Sequence, residues 1–222
     1  MSQNPTRGER YLGLSPRQTG NAKGGPVNFI VIYPPSAERV AEFPVGGLFL
    51  ADALAKRGYS CGIICDRSPS EIYEDLDQMI SEDTIAIGLS VVSTLIFKDA
   101  IRISQELKSK YPHKPLVWGG QAVSAQKEQM LEFDPVDYVC VGDGEEALPD
   151  LLDALERGVV PSDIVGIGYM SAGEPTFNGI ATYTDFDQVF ELPYELVDVD
   201  RYFRNLNIGG DRWLGAIYSR GC

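Results

Sequence analysis

The chain has 222 residues with 19 basic and 32 acidic side chains, a net charge of −13, so nucleic acid and anionic membrane are not expected as partners. Its 44% hydrophobic and 10% aromatic content suffices for the core of one ordinary domain plus extensions. The longest apolar stretch, Thr84 to Phe97, is broken by Gly88, Ser90, Ser93 and Thr94 and is too short to span a bilayer. The N-terminus also lacks an apolar signal core, so a cytoplasmic protein is expected.

Residues 1–26 are polar, aperiodic and rich in Gly, Asn, Arg and Pro, and read as a disordered leader. Val27–Tyr33 follows as a first buried strand, and Pro34 to Gly46 as a long loop. A helix is predicted from Gly47 through Arg57, with Leu50, Ala51 and Leu54 inward and Gly58 closing it. Ser60–Cys65 is the second strand. Ser68-Pro-Ser-Glu71 then reads as a capping box, with proline at the first helical position and Ile72, Leu76 and Met79 or Ile80 buried behind it.

Thr84–Leu89 is the third strand, and Ser90-Val-Val-Ser-Thr94 its exit loop. Ile96, Ala100, Ile103 and Leu107 recur at helical spacing. The fourth strand ends at Trp118, before a shorter helix over Ser124–Phe133. Tyr138–Val141 is the fifth strand. The last helix buries Leu148, Leu151, Leu152 and Leu155 and closes at Gly158, and it tolerates Pro149 only if that residue falls in the first turn.

Strands alternating with helices imply a doubly wound α/β fold, a five-stranded parallel sheet covered on both faces. The flavodoxin-like order 2-1-3-4-5 is expected, with a Rossmann-like order as the alternative. After residue 158 the pattern changes. Ile164–Met170 and a Gly-rich turn suggest a β-hairpin, and Phe186–Tyr202 an acidic, aromatic linker. Leu214–Ser219 resembles the first strand of something further. The expected units are thus a leader (1–26), a ligand-binding domain (27–158), a hairpin-and-linker extension (159–213) and the beginning of another domain (214–222).

In such a sheet the ligand sits outside the carboxyl ends of the strands. The exits there are small or flexible: Ser90, Ser93, Thr94 and Leu95 after strand three; Gly119, Gly120 and Gln121 after strand four; Gly142, Asp143, Gly144 and Glu145 after strand five. The loop before the first helix, with Pro44 and Val45, overhangs them. This edge suits a large, mostly uncharged ligand gripped by backbone and hydroxyl groups. Asp143 and Glu145 read equally well as helix caps.

Gly142-Asp-Gly-Glu-Glu-Ala147 formally matches G-x-G-x-x-A, but it follows the fifth strand and opens on two glutamates, so the dinucleotide or flavin reading is weak. There is neither a Walker A motif nor a G-x-S-x-G elbow. The single histidine, His113, falls at the amino edge of the sheet and cannot serve the cleft. Cys61 and Cys65 stand roughly 13 Å apart along a strand, too far for a bridge or a shared metal. Cys140 reads as a small core residue. No catalytic residue is assigned.

The segments Val117-Trp-Gly-Gly-Gln-Ala-Val-Ser124 and Val136-Asp-Tyr-Val-Cys-Val-Gly-Asp-Gly-Glu-Glu-Ala-Leu148 together resemble the cobalamin-binding domain of cobalamin-dependent radical S-adenosylmethionine enzymes. The helix Gly47–Tyr59, the strand exit Ile87-Gly-Leu-Ser-Val91, Glu195–Tyr202 and the tail Tyr218-Ser-Arg-Gly-Cys222 fit the same pattern. The resemblance implies a module that binds cobalamin and presents it to a partial TIM barrel, in cis or in trans. The parent enzyme would be a methyltransferase or a ring-forming enzyme using S-adenosylmethionine and a 4Fe-4S cluster, and the 222 residues would not be catalytic alone.

Cys222 would be the first cysteine of the C-x-x-x-C-x-x-C cluster loop, unless it is an accidental terminal thiol. The resemblance departs in one place. Cobalamin domains of the histidine-ligated kind carry D-x-H-x-x-G after the first strand, where this chain has Tyr33-Pro-Pro-Ser-Ala-Glu-Arg39. The cobalt would then be base-off and without protein imidazole, its lower face shielded by Pro44 or Val45. A degenerate domain serving as an interaction or substrate-recognition module is the alternative.

Overall fold

A computed structural model describes residues 26–35, 43–181 and 190–202. All but the last residue of the leader, the run Leu214–Ser219 and Cys222 lie outside the described residues. Five parallel strands, β1 (Phe29–Ile32), β2 (Cys61–Ile64), β3 (Ala86–Ser90), β4 (Leu116–Gly119) and β5 (Tyr138–Cys140), stand in the order β2-β1-β3-β4-β5. The expected hairpin, β6 (Ile167–Ser171) and β7 (Glu174–Phe177), does not stand apart. It continues the sheet antiparallel beside β5, so among the described residues the sheet has seven strands where five were expected.

Strand alternation sorts the core into two layers. Ile30 and Ile32 of β1 face one side, with Ile87, Leu89 and Trp118. There they meet α2 (Pro69–Met79), α3 (Phe97–Lys110) and α4 (Gln121–Gln126). Phe29 and Val31 face the other side, with Ile63, Val117 and Cys140. That side is covered by α1 (Val45–Lys56) and α5 (Gly144–Glu156). No helix among the described residues is long and apolar enough to cross a membrane.

The capping box forms as expected. Ser68 accepts from the Glu71 N–H, and the Glu71 carboxylate accepts from the Ser68 N–H at 2.9 Å. Other boundaries move. Helix α1 begins at Val45 rather than Gly47. The short helix begins at Gln121 rather than Ser124 and tightens into a 3-10 turn over Lys127–Glu132. Helix α5 starts at Gly144, so Pro149 lies in its second turn, not its first. It is buried there, and the one helical hydrogen bond it removes is a local loss inside a well-packed layer.

Residues 190–202 lie across the α1 side as a strap. Phe190 packs edge-on against Phe49 at 4.8 Å, and the Glu191 N–H donates to Asp52 at 3.3 Å. Val197 and Tyr202 are buried. The Tyr202 hydroxyl meets the Cys65 sulfur at 2.7 Å, just past the carboxyl end of β2.

Trp118 is the largest fully buried side chain among the described residues, and its indole N–H donates to Ser104 Oγ of α3 at 3.0 Å. Ser104→Ala would strand that donor in a dry layer. A loss of about 1–3 kcal/mol in urea unfolding is expected. A change within experimental error would mean the indole finds another acceptor.

Candidate functional site

The carboxyl ends of the strands are laced together by the backbone. The Val91 N–H donates to Gly119 O at 2.7 Å, and the Ala122 N–H donates to Val91 O at 3.1 Å. The Gly142 N–H donates to Ser124 Oγ at 3.0 Å. Gly120, with φ +102°, sits where a Cβ would come within 2.7 Å of Val91 O, so this lacing requires glycine.

Behind the laced edge a cavity of about 180 Å³ descends between the sheet and helices α1 and α5. It is built in two storeys by simple periodicity. At the mouth stand Tyr33, Gly46, Ser90, Gly119, Gly142 and Gly144. Two residues back along the strands, or four further along the helices, come Val31, Gly88, Val117, Cys140, Leu148 and Leu50. Phe29 closes the floor. The upper storey is small or polar, and the lower is apolar. Gly88 makes the depth possible, because a Cβ there would stand 2.4 Å from the Phe29 ring.

Of the residues expected at this edge, Ser90, Gly119, Gly120 and Gly142 line the cavity, as do Asp143, Gly144 and Glu145. Pro44, Val45, Ser93, Thr94, Leu95 and Gln121 do not. Pro44 and Val45 open α1. Ser93 precedes the 3-10 turn Thr94–Ile96, on which Thr94 and Leu95 are exposed, Leu95 at 67%. Gln121 is exposed at the start of α4. Asp143 occupies the N-cap position of α5 but makes no side-chain cap hydrogen bond, whereas Glu145 is buried. Cys222 lies outside the described residues. Among those residues no group of three or more His, Cys, Asp or Glu could hold a metal ion. His113 is exposed in the loop between α3 and β4, at the amino edge.

The lower storey and Tyr33 are lining residues that no sequence motif singled out. Tyr33 follows β1, and its hydroxyl accepts the Gly47 N–H at 2.7 Å and shares a hydrogen bond with Ser90. Burial raises its pKa far above the ordinary phenol value, so it remains a neutral phenol. A signal was present all the same: Phe29, Val31 and Tyr33 alternate along one face of the strand.

Residues 40–152 match the B12 binding domain family model. Over 207 residues the chain is 23% identical to an uncharacterized methyltransferase of Pyrococcus horikoshii, a match covering 88% of this chain and 43% of that protein. The chain therefore spans less than half the length of that relative. Among solved structures it is similar to the radical S-adenosylmethionine methyltransferase TsrM of Kitasatospora setae with cobalamin and a [4Fe-4S] cluster bound. That likeness has a TM-score of 0.60 and 17% identity, over 77% of this chain and 32% of TsrM. It is similar also to the cobalamin-dependent S-adenosylmethionine radical enzyme OxsB with aqua-cobalamin and S-adenosylmethionine bound, at TM-score 0.60 and 20% identity, over 71% of this chain and 23% of OxsB. At these identities the structural likeness is one of fold.

Cys61, Cys65 and Cys140 form no disulfide with one another. Burial pushes the Cys140 thiol up to about 12, helped by the carboxylates of Glu145 and Asp143, and burial alone does the same for Cys61. At pH 8 both stay protonated and unreactive. Brief iodoacetamide treatment of the folded chain should leave both unmodified, and urea should expose them. Peptide mapping reads the difference; labelling of Cys140 without denaturant would mean that the slot opens to water.

Proposed function

The chain belongs to the B12-binding domain family, and from that premise we propose that it holds cobalamin at the laced edge and presents it to a radical S-adenosylmethionine catalytic domain. The observation that carries this reading is the glycine-collared slot at the strand exits. Its volume of about 180 Å³ is below the ~300 Å³ at which pockets begin to engulf whole ligands. It suits one end of a large molecule: the nucleotide tail inside, the corrin ring across the glycines at the mouth. Gly120 permits the backbone lacing at the mouth, and Gly88 permits the Phe29 ring to lie close against the floor.

Cobalamin, when bound, supplies a cobalt able to carry and hand on an alkyl group. The chain's own residues bind and orient. Tyr33, at the position following β1, is engaged with Gly47 and Ser90, and no histidine among the described residues lines the slot. The cofactor would thus be held base-off without a protein nitrogen. The strap ends at the same edge, where Tyr202 packs on Phe43 with ring centroids 5.2 Å apart. This placement supports delivery of a following catalytic domain to the cofactor's open side. Cys222 as a cluster ligand, the 4Fe-4S cluster, S-adenosylmethionine and a methyltransferase or ring-forming reaction belong to the whole enzyme in this reading. An open slot also favours ligand binding over a degenerate interaction module, which would fill the space with its own side chains.

Purified chain mixed with hydroxocobalamin and passed through a desalting column should retain the chromophore, with the visible spectrum of a cobalamin lacking a nitrogen base below the cobalt. Loss of all colour on the column would refute the proposal. Gly88→Ala should drive the Phe29 ring into the slot and weaken retention about tenfold or more, from the 1–3 kcal/mol scale of overpacking.

A further inference from the structure

The two storeys of the slot differ in polarity, with the polar groups confined to the mouth. At the mouth, the Tyr33 hydroxyl takes the Gly47 N–H and bonds Ser90, and Ser124 Oγ takes the Gly142 N–H. Asp143 and Glu145 add carboxylates at this level, each with partners of its own. Below, Phe29, Val31, Val117, Leu50 and Leu148 offer only carbon, and the strand backbone is paired within the sheet. Cys140 adds a neutral thiol, a weak hydrogen-bonding group at best. A flat ring entering this space finds van der Waals partners and almost no hydrogen-bond partners.

We infer that the slot selects among corrinoids by the heterocycle ending their nucleotide tail, admitting an apolar benzimidazole and discriminating against a purine. The inference rests on the cobalamin reading above and adds which corrinoid is held. A dimethylbenzimidazole presents methyl and ring carbons to Phe29, Val31, Val117 and Leu148, all compatible with that wall. Adenine has nearly the same flat shape, but it carries an exocyclic amine and additional ring nitrogens. Buried here, those groups lose water and gain no partner. A site rejects a ligand most strongly when burial leaves polar groups unpaired. Size alone does little between two bicyclic rings, so polarity sets the preference.

Equilibrium dialysis of the full chain, with corrinoid measured by absorbance, tests this using three probes: hydroxocobalamin, the cobamide carrying adenine as its base, and cobinamide, which has no tail. Cobalamin should bind roughly ten- to a hundredfold more tightly than the adenine cobamide, the penalty for one or two orphaned polar groups. Cobinamide should bind more weakly than cobalamin. Equal affinity for cobalamin and the adenine form overturns base selection while leaving the cobalamin reading intact. Cobinamide as tight as cobalamin overturns the placement of the tail in the slot. Retention of none of the three overturns both readings together.

Val117→Thr provides a second arm. It keeps the shape of the wall and adds one hydroxyl to the lower storey. The ratio of the two affinities should narrow several-fold, and taking the ratio on one variant cancels any change in its stability. An unchanged ratio would remove Val117, and the slot with it, as the source of selection.

Discussion

A crossover between parallel strands must be right-handed, and in this chain that rule decides where a ligand can go. From β1 the chain steps outward to β2 and then reverses across β1 to β3, β4 and β5. Reversing direction while keeping the hand puts α1 on the opposite face from α2, α3 and α4. Helix α5, which leads out of the parallel part to an antiparallel hairpin, returns to the α1 face. Among the described residues three helices therefore cover one face and two the other, and the slot lies under the pair. Helices α1 and α5 pack on one another. Arg57, at the end of α1, bridges Asp150 at 2.9 Å and also Asp153, on α5. That exposed tie is worth little alone, but it holds the two helices together at the end remote from the slot.

Coverage by two helices leaves the sheet beyond α1 bare, and the strap fills that need. Leu192, Leu196, Val197 and Val199 pack onto the same apolar layer as α1. The strap is attached at both ends: Phe190 and Glu191 to α1, Tyr202 to Cys65 and Phe43. The residues that cover the sheet therefore also bring Tyr202 beside the strand exits, away from the amino edge.

How far the sequence disclosed this follows from what periodicity can and cannot encode. Gly119, Gly120, Gly142 and Gly144 were readable as the small-residue edge of the sheet because they fall between the end of a strand and the start of a helix, where glycine lets the chain turn tightly. The strand order was readable because length and handedness leave few options. The lower storey was not. Phe29, Val31 and Val117 have the same apolar, period-two pattern whether their face meets a helix or an open slot, so a lining residue and a core residue look alike. Leu95 was expected at this edge from its loop position alone; the 3-10 turn after Ser93 carries its side chain out to solvent, outside the slot. The β6–β7 hairpin was recognised as a hairpin. Its pairing with β5 depends on a non-local register that no local signal carries.

Tyr33 ties the mouth of the slot together. Helix α1 opens at Pro44, which has no side-chain acceptor to offer, and the Gly47 N–H would otherwise be an orphan of the first turn. The phenol reaches across from the end of β1 to accept it, and it bonds Ser90 at the end of β3. One side chain thus joins the two strands that flank the reversal to the helix that overhangs it. A glycine at 47 is what lets it approach, since a Cβ there would come within 2.9 Å of the phenol oxygen. Because burial keeps the phenol neutral, this junction does not change with pH in the physiological range. The phenol that lines the mouth is thus already committed to holding that mouth in shape.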